Sequence, residues 1–157
     1  MNKITISTAG FARLNDRLRE LKEVLRPEIL VAIQKARELG DLSENADYST
    51  AKDKEREINR EIRELEALRN KANVVDISSI SGDTVMFGAS VSIEDEDGNV
   101  KKYKILSEYE ADLNLGIISI TSPMARAIIG KRRGDFAVIR LPNGTKEIEI
   151  TEISYVA

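Results

Sequence analysis

The sequence predicts an α+β protein of two domains, and three observations carry that prediction. A long heptad pattern fills the first half of the 157 residues, a two-residue alternation fills most of the second half, and the change falls near Asp76. We therefore expect an antiparallel coiled-coil hairpin over residues 1–76. A small antiparallel β-sheet with one short helix should follow over residues 77–157.

The first helix is expected from about Phe11 to Leu39. Phe11, Leu14, Leu18, Leu21 and Leu25 alternate spacings of three and four, as the seam of a coiled coil requires. Ser7 or Thr8 can cap its start. The seam resumes at Ile29, Ala32, Ile33, Ala36 and Leu39 after a slip of one residue, and Pro27 sits at the slip. A kink or the start of a separate helix would each satisfy a proline there. The second helix is expected from about Asn45 to Lys71, with Tyr48, Ala51, Glu55, Ile58, Ile62, Leu65, Leu68 and Ala72 on its seam. Folding the chain near Ser43 sets Leu21 against Leu65, Leu25 against Ile62 and Ile29 against Ile58. Towards the turn the seam thins to Ala36, Ala51 and Glu55.

Beyond Asn73, strands are expected at Val74–Val75, Thr84–Met86, Ala89–Glu94, Lys101–Leu106, Ile117–Ile120, Phe136–Arg140 and Glu147–Ile153. Asp97-Gly98-Asn99 and Pro142-Asn143-Gly144 are turn signals. Ser122 as cap, Pro123 as first residue and Gly130 as stop define a short helix, with Met124, Ala125, Ile128 and Ile129 free to face the sheet.

Composition removes several kinds of chemistry. The chain has no Cys and no His, so thiol nucleophiles, a Ser-His-Asp triad and an ordinary zinc site are excluded. Absent Cys fits a cytoplasmic protein, and neither a signal core nor a membrane-spanning run is read in the sequence. The net charge of -3 argues against a broad nucleic-acid-binding surface.

One segment departs from the balanced charge around it. Glu38, Asp41, Glu44 and Asp47 recur every third residue, and no Lys or Arg lies between Arg37 and Lys52. In a tight helical turn Asp41 and Glu44 share a face, and two carboxylates there can share a hard cation such as Mg²⁺. Two ligands hold such an ion weakly, which suits a site completed by another molecule. The plainer reading is a helix start with Ser43 as cap and Asp47 near the third helical position. Arg37 and Lys52 flank the turn and can grip a phosphate backbone or pair with Glu38, Asp53 or Glu55. Tyr48 can stack on an unpaired base or pack in the seam. Lys131-Arg132-Arg133 is either a cationic helix end or a docking face.

Taken together, these residues resemble the Gre transcript-cleavage factors of bacterial RNA polymerase. The resemblance lies in Arg26-Pro27-Glu28-Ile29, Ala36-Arg37-Glu38, Gly40 to Tyr48 with Ala51-Lys52, Glu110-Ala111-Asp112, Ser122 to Ala127 with Ile129-Gly130-Lys131, and Pro142-Asn143-Gly144. It covers almost the whole chain. It implies a second domain folded like FK506-binding proteins, docked at the rim of the polymerase secondary channel, with Ser122, Pro123 and Lys131 as candidate docking residues. It further implies a hairpin that enters the channel. There Asp41 and Glu44 would help hold a Mg²⁺ ion, and the polymerase would cleave its own backtracked RNA. Arg37, Lys52 and Tyr48 would contact the nascent RNA 3′ segment. The free protein is expected to be a monomer, to hold no metal and to be no enzyme by itself. Three departures stand out: Asp47 where Glu is commoner, Ser49 where His often follows the Tyr, and Ser107-Glu108-Tyr109 before Glu110. The basic patch is modest, so poor action on long backtracked RNA is expected. An inhibitor that plugs the channel without cleavage, a prolyl isomerase and an inert coiled-coil tether are the competing readings.

Overall fold

The computed structural model describes residues 3–40 and 45–156. The chain divides into two compact units. The first is the helical arm of Phe11–Ala72, and the second joins Lys3–Gly10 to Asn73–Ala157.

The arm begins with α1 (Thr8–Glu20) and continues through a π-helical turn (Leu21–Leu25) into α2 (Arg26–Glu38). A connection over 39–45 leads to α3 (Ala46–Lys71), which packs antiparallel on α2. Leu14, Leu18, Leu21, Ile29, Ile33 and Ala36 are buried from one side, and Ala51, Ile58, Ile62 and Leu65 from the other. This is the seam that the heptad spacing predicts.

The slip at Pro27 is carried by the π turn. Arg26 N–H donates to the Leu21 carbonyl, five residues back rather than four. Pro27 lacks the N–H that would bond the Glu23 carbonyl, and its ring would crowd that carbonyl in a plain α turn. Widening the preceding turn accommodates both the proline and the extra residue, and Ile29 returns to the face of Leu21. The helical backbone runs on through Leu25 and Arg26, both in the right-handed α region. Arg17 donates to Glu61 through Nε (2.7 Å) and Nη2 (2.9 Å), and Lys22 pairs with Glu66 at 2.8 Å. The hydrogen bond from Arg17 holds the Glu61 carboxyl below its usual range and raises the guanidinium in turn.

In the second unit, β3 (Ser90–Asp95), β4 (Val100–Leu106), β5 (Ile117–Ser119), β6 (Phe136–Leu141) and β7 (Gly144–Ser154) form a five-stranded sheet in the order β5-β4-β3-β7-β6. Neighbours are antiparallel except β5, which runs parallel to β4. The exception follows from the connection over 107–116, two 3-10 turns long, which returns the chain to the start of β4's edge. Ser92 pairs with Glu152 and Ile93 with Ile150, so Thr151 bulges out of β7 and its hydroxyl donates to the Ser92 carbonyl. The helix α4 (Pro123–Ile128) buries Ala125 and Ile128 against Val91, Ile105, Ile139, Ile148 and Ile150. Met124 and Ile129 pack at the margin of this core.

Two further strands make a separate sheet. β1 (Ile4–Ser7) precedes α1, β2 (Ala72–Val75) follows α3, and they pair with each other. The expected strand at Thr84–Met86 reduces to one bridge, Thr84 to Arg132. Gly82 and Gly88, both at positive φ, bracket that segment and bend it out of an extended run.

Candidate functional site

The candidate site lies at the far end of the arm, where α2 gives way to α3. The last turn of α2 tightens, with Leu39 N–H donating to Ala36 and Gly40 N–H to Arg37. Gly40 then takes φ 110°, a conformation that side chains resist, with open space around it. Asp41 and Glu44, the proposed metal-binding acids, lie outside the described residues, as does Ser43.

Asn45 reopens the chain as the N-cap of α3, in place of the expected Ser43. Its Oδ1 accepts from Tyr48 N–H at 3.1 Å, and its Nδ2 donates to the Ala36 carbonyl at 2.7 Å. One amide thus caps α3 and ties it to the end of α2. An Asp at this position would cap equally well but would lack the donor. Tyr48, in the first turn of α3, lies under the Arg37 guanidinium at 6.0 Å from the ring centroid. The geometry therefore joins two of the candidate RNA-contacting residues. Lys52 pairs with Glu55 at 2.8 Å and keeps about a third of its side chain exposed, 32%. Asp47 and Glu38 are exposed. Between α2 and α3 the seam narrows to a groove lined by Ala32, Ala36, Leu39, Ala51 and the stems of Lys35 and Lys54. Leu39 is 70% exposed, so this end holds little buried apolar area.

The second set of candidates is in the other unit. Ser122 caps α4, its Oγ accepting from Ala125 N–H at 3.2 Å, and Pro123 occupies the first turn exposed to solvent. The Lys131 carbonyl accepts from Val85 N–H, which fixes the turn after α4. Arg132 faces Asp83 at 3.9 Å with both side chains largely exposed. An apolar cleft of about 220 Å³ opens beside α4, lined by Ile93, Met124, Ile139 and Ile148, with Tyr103 as the aromatic among its described lining.

The Asn45 clasp and the Arg37–Tyr48 stack were not legible as contacts. The spacing of the three residues was visible, but nothing in it states which turn Asn45 caps.

Family models match both halves of the chain. The N-terminal domain of transcription elongation factors covers residues 4–74, and the GreA/GreB C-terminal domain covers residues 80–155. Transcription elongation factor GreA of Anaeromyxobacter sp. (strain K) is 47% identical, over 99% of this chain and 95% of its own. The GreA of Phenylobacterium zucineum (strain HLK1) is 45% identical, over 99% and 100%. The GreA factor homolog Gfh1 of Thermus thermophilus, a solved structure, covers 98% of this chain and 99% of its own at 26% identity and a TM-score of 0.46, too loose a superposition to define the fold. Both halves, in order and over their full lengths, place this chain in the GreA/GreB family of transcription elongation factors.

Proposed function

We propose that this chain binds RNA polymerase as a monomer in the cytoplasm, inserts its hairpin into the secondary channel and stimulates cleavage of backtracked nascent RNA. The observation that carries the reading is the position of Asp41 and Glu44 in the connection over 39–45, between two long helices of a chain 47% identical to a GreA. No basic residue lies between them and Asn45. Their cost of mutual repulsion falls when a cation is shared.

The donor set fits Mg²⁺. Two carboxylates are hard oxygen ligands, and two of them leave most of an octahedral shell to other groups. Asp41 and Glu44 would hold the ion together with the polymerase and the RNA phosphate. When bound, Mg²⁺ supplies stabilisation of phosphate charge and activation of the attacking water. The chain's own residues do the placing. Asn45 holds the two helix ends together, Gly40 lets the backbone turn, and Arg37 and Tyr48 present a cation over an aromatic face to the RNA 3′ segment. Lys52 adds a second positive charge on the facing helix. Ser122, Pro123 and Lys131 are the proposed contacts of the second unit with the polymerase rim. The protein itself then needs no complete active site, and the polymerase performs the hydrolysis.

The test is a stalled, backtracked elongation complex incubated with the protein and Mg²⁺. Release of short 3′ RNA products and resumed elongation are expected. Slowed synthesis with no RNA fragment would replace this reading with that of a channel-plugging inhibitor.

A further inference from the structure

Glu110 is a buried carboxylate that the tip chemistry leaves unused. It is 3% exposed, and no ion pair from Lys or Arg reaches it among the described residues. Its charge is met by neutral donors alone. Ser107 N–H (3.2 Å) and Ser107 Oγ (2.7 Å) donate from its own turn. Ser7 N–H donates at 3.3 Å and the Ser7 hydroxyl donates to the other oxygen. Ser7 Oγ in turn accepts from Gly10 N–H at 3.1 Å, which caps the first turn of α1. A carboxylate out of water is tolerated only when such bonds are complete, and each is stronger for the charge it meets.

Gly10 closes the site. A Cβ on it would overlap the Glu110 side chain, at 2.6 Å from Cγ. No other residue type leaves room for the carboxyl to pass under the first turn of α1. Ser7 and Ser107 are themselves 3% and 1% exposed. All of these residues belong to the second unit, yet Thr8–Gly10 are the opening turn of a helix that runs on into the arm. The arm's return strand β2 pairs with β1, the strand that ends at Ser7. The carboxylate therefore grips the chain where the arm begins.

We propose that Glu110 is a positioning residue for RNA cleavage: a carboxylate clamp that holds the root of the arm rigid, so that the acids at its far end return to one place. This rests on the cleavage reading above. The lever is long. From Gly10 to Gly40 the helix rises about 45 Å at about 1.5 Å per residue, so an angular slip of about 2° at the root moves the far end by about 1.5 Å. A misplacement of about 1 Å can cost catalysis about a hundredfold.

The substitution Glu110→Gln keeps the shape but turns one acceptor into a donor that faces donors. Ser7→Ala removes only the hydroxyl bridge between Glu110 and Gly10 and serves if E110Q does not fold. The chain has no Cys, so cysteines introduced at the exposed Arg63 of α3 and Arg140 of β6 take spin labels at those two positions alone. Pulsed electron–electron distance measurement on the full chain should show a broader distance distribution in the variant than in the parent. In the cleavage assay the maximal rate at saturating protein should fall about tenfold or more, with the half-saturating concentration unchanged. An unchanged distribution in both variants overturns the clamp. A broadened distribution with an undiminished maximal rate overturns the positioning role. Should the parent chain release no RNA, the cleavage reading fails and the positioning role with it, while the distance widths still report the clamp separately.

Discussion

The π turn makes a quantitative prediction. In an α-helix each residue turns about 100°, so the eight-residue step from Leu21 to Ile29 would leave Ile29 about 80° past the face of Leu21. The wide turn over Leu21–Leu25 absorbs that rotation. Deleting Val24, a 47% exposed residue, shortens the step to seven residues, which in a plain helix falls only about 20° short of two turns. The bond from Arg26 to Leu21 then becomes an ordinary α bond. Pro27 must be removed with it, because a proline in an uninterrupted helix costs about 3 kcal/mol. The variant lacking Val24 and carrying Pro27→Ala should therefore match the parent within about 1 kcal/mol. Inserting one alanine after Val24 should act oppositely. It turns Ile29 and Ile33, 8% and 5% exposed, out of the seam. At about 1.5–3 kcal/mol for each isoleucine, the loss is about 3–6 kcal/mol. Urea unfolding followed by far-UV circular dichroism, with hydrogen exchange of α2 amides, measures both. A deletion variant as unstable as the insertion would refute the account of the π turn.

Further outcomes concern single groups. Glu61 has a folded pKa below its unfolded value because of Arg17, so its contribution is complete above pH about 4.5 and fades as the pH falls through the folded value. The stability gap between the parent and Glu61→Gln should thus be constant near neutrality and close on acidification, and a gap that widens in acid would reverse the sign. Asn45→Ala removes the α3 cap and the partner of the Ala36 carbonyl, so exchange of the amides after Ala46 should quicken by an amount equivalent to about 1 kcal/mol. Removing Arg37 and Lys52 together should weaken capture of the backtracked complex and lower its salt dependence by about 0.7 log units for each RNA phosphate that is no longer neutralised. An unchanged salt slope would free both residues from any role at the RNA.

Much of this architecture was readable because burial leaves a periodic trace. The seam residues Leu14, Leu18, Leu21, Ile58, Ile62 and Leu65 all proved buried, and the Ser122-Pro123 start of α4 is capped as its chemistry requires. The one-residue slip was visible too, but a kink, a helix break and a π turn all answer it. Only the backbone bond from Arg26 to Leu21 separates them. The parallel pairing of β5 left no trace, since three residues carry no direction. β1 was missed because Ile4–Ser7 is short and its partner lies beyond the whole arm. Glu110 was noticed only within a family motif. An acid looks the same in sequence whether it is solvated or enclosed by serines, one of them 103 residues away. At the tip, the pattern of acids is a sequence fact, whereas the clasp by Asn45 depends on how two helix ends meet.

The central claim is that two acids on a projecting turn act only inside the polymerase. The most direct measurement compares the parent with the Asp41→Ala, Glu44→Ala double variant on a backtracked complex, at protein concentrations shown by competition to saturate the polymerase. The account predicts that the variant occupies the polymerase as the parent does, keeps its far-UV spectrum and releases no RNA above the polymerase's own background. A double variant that still accelerates RNA release at the parental rate would contradict it.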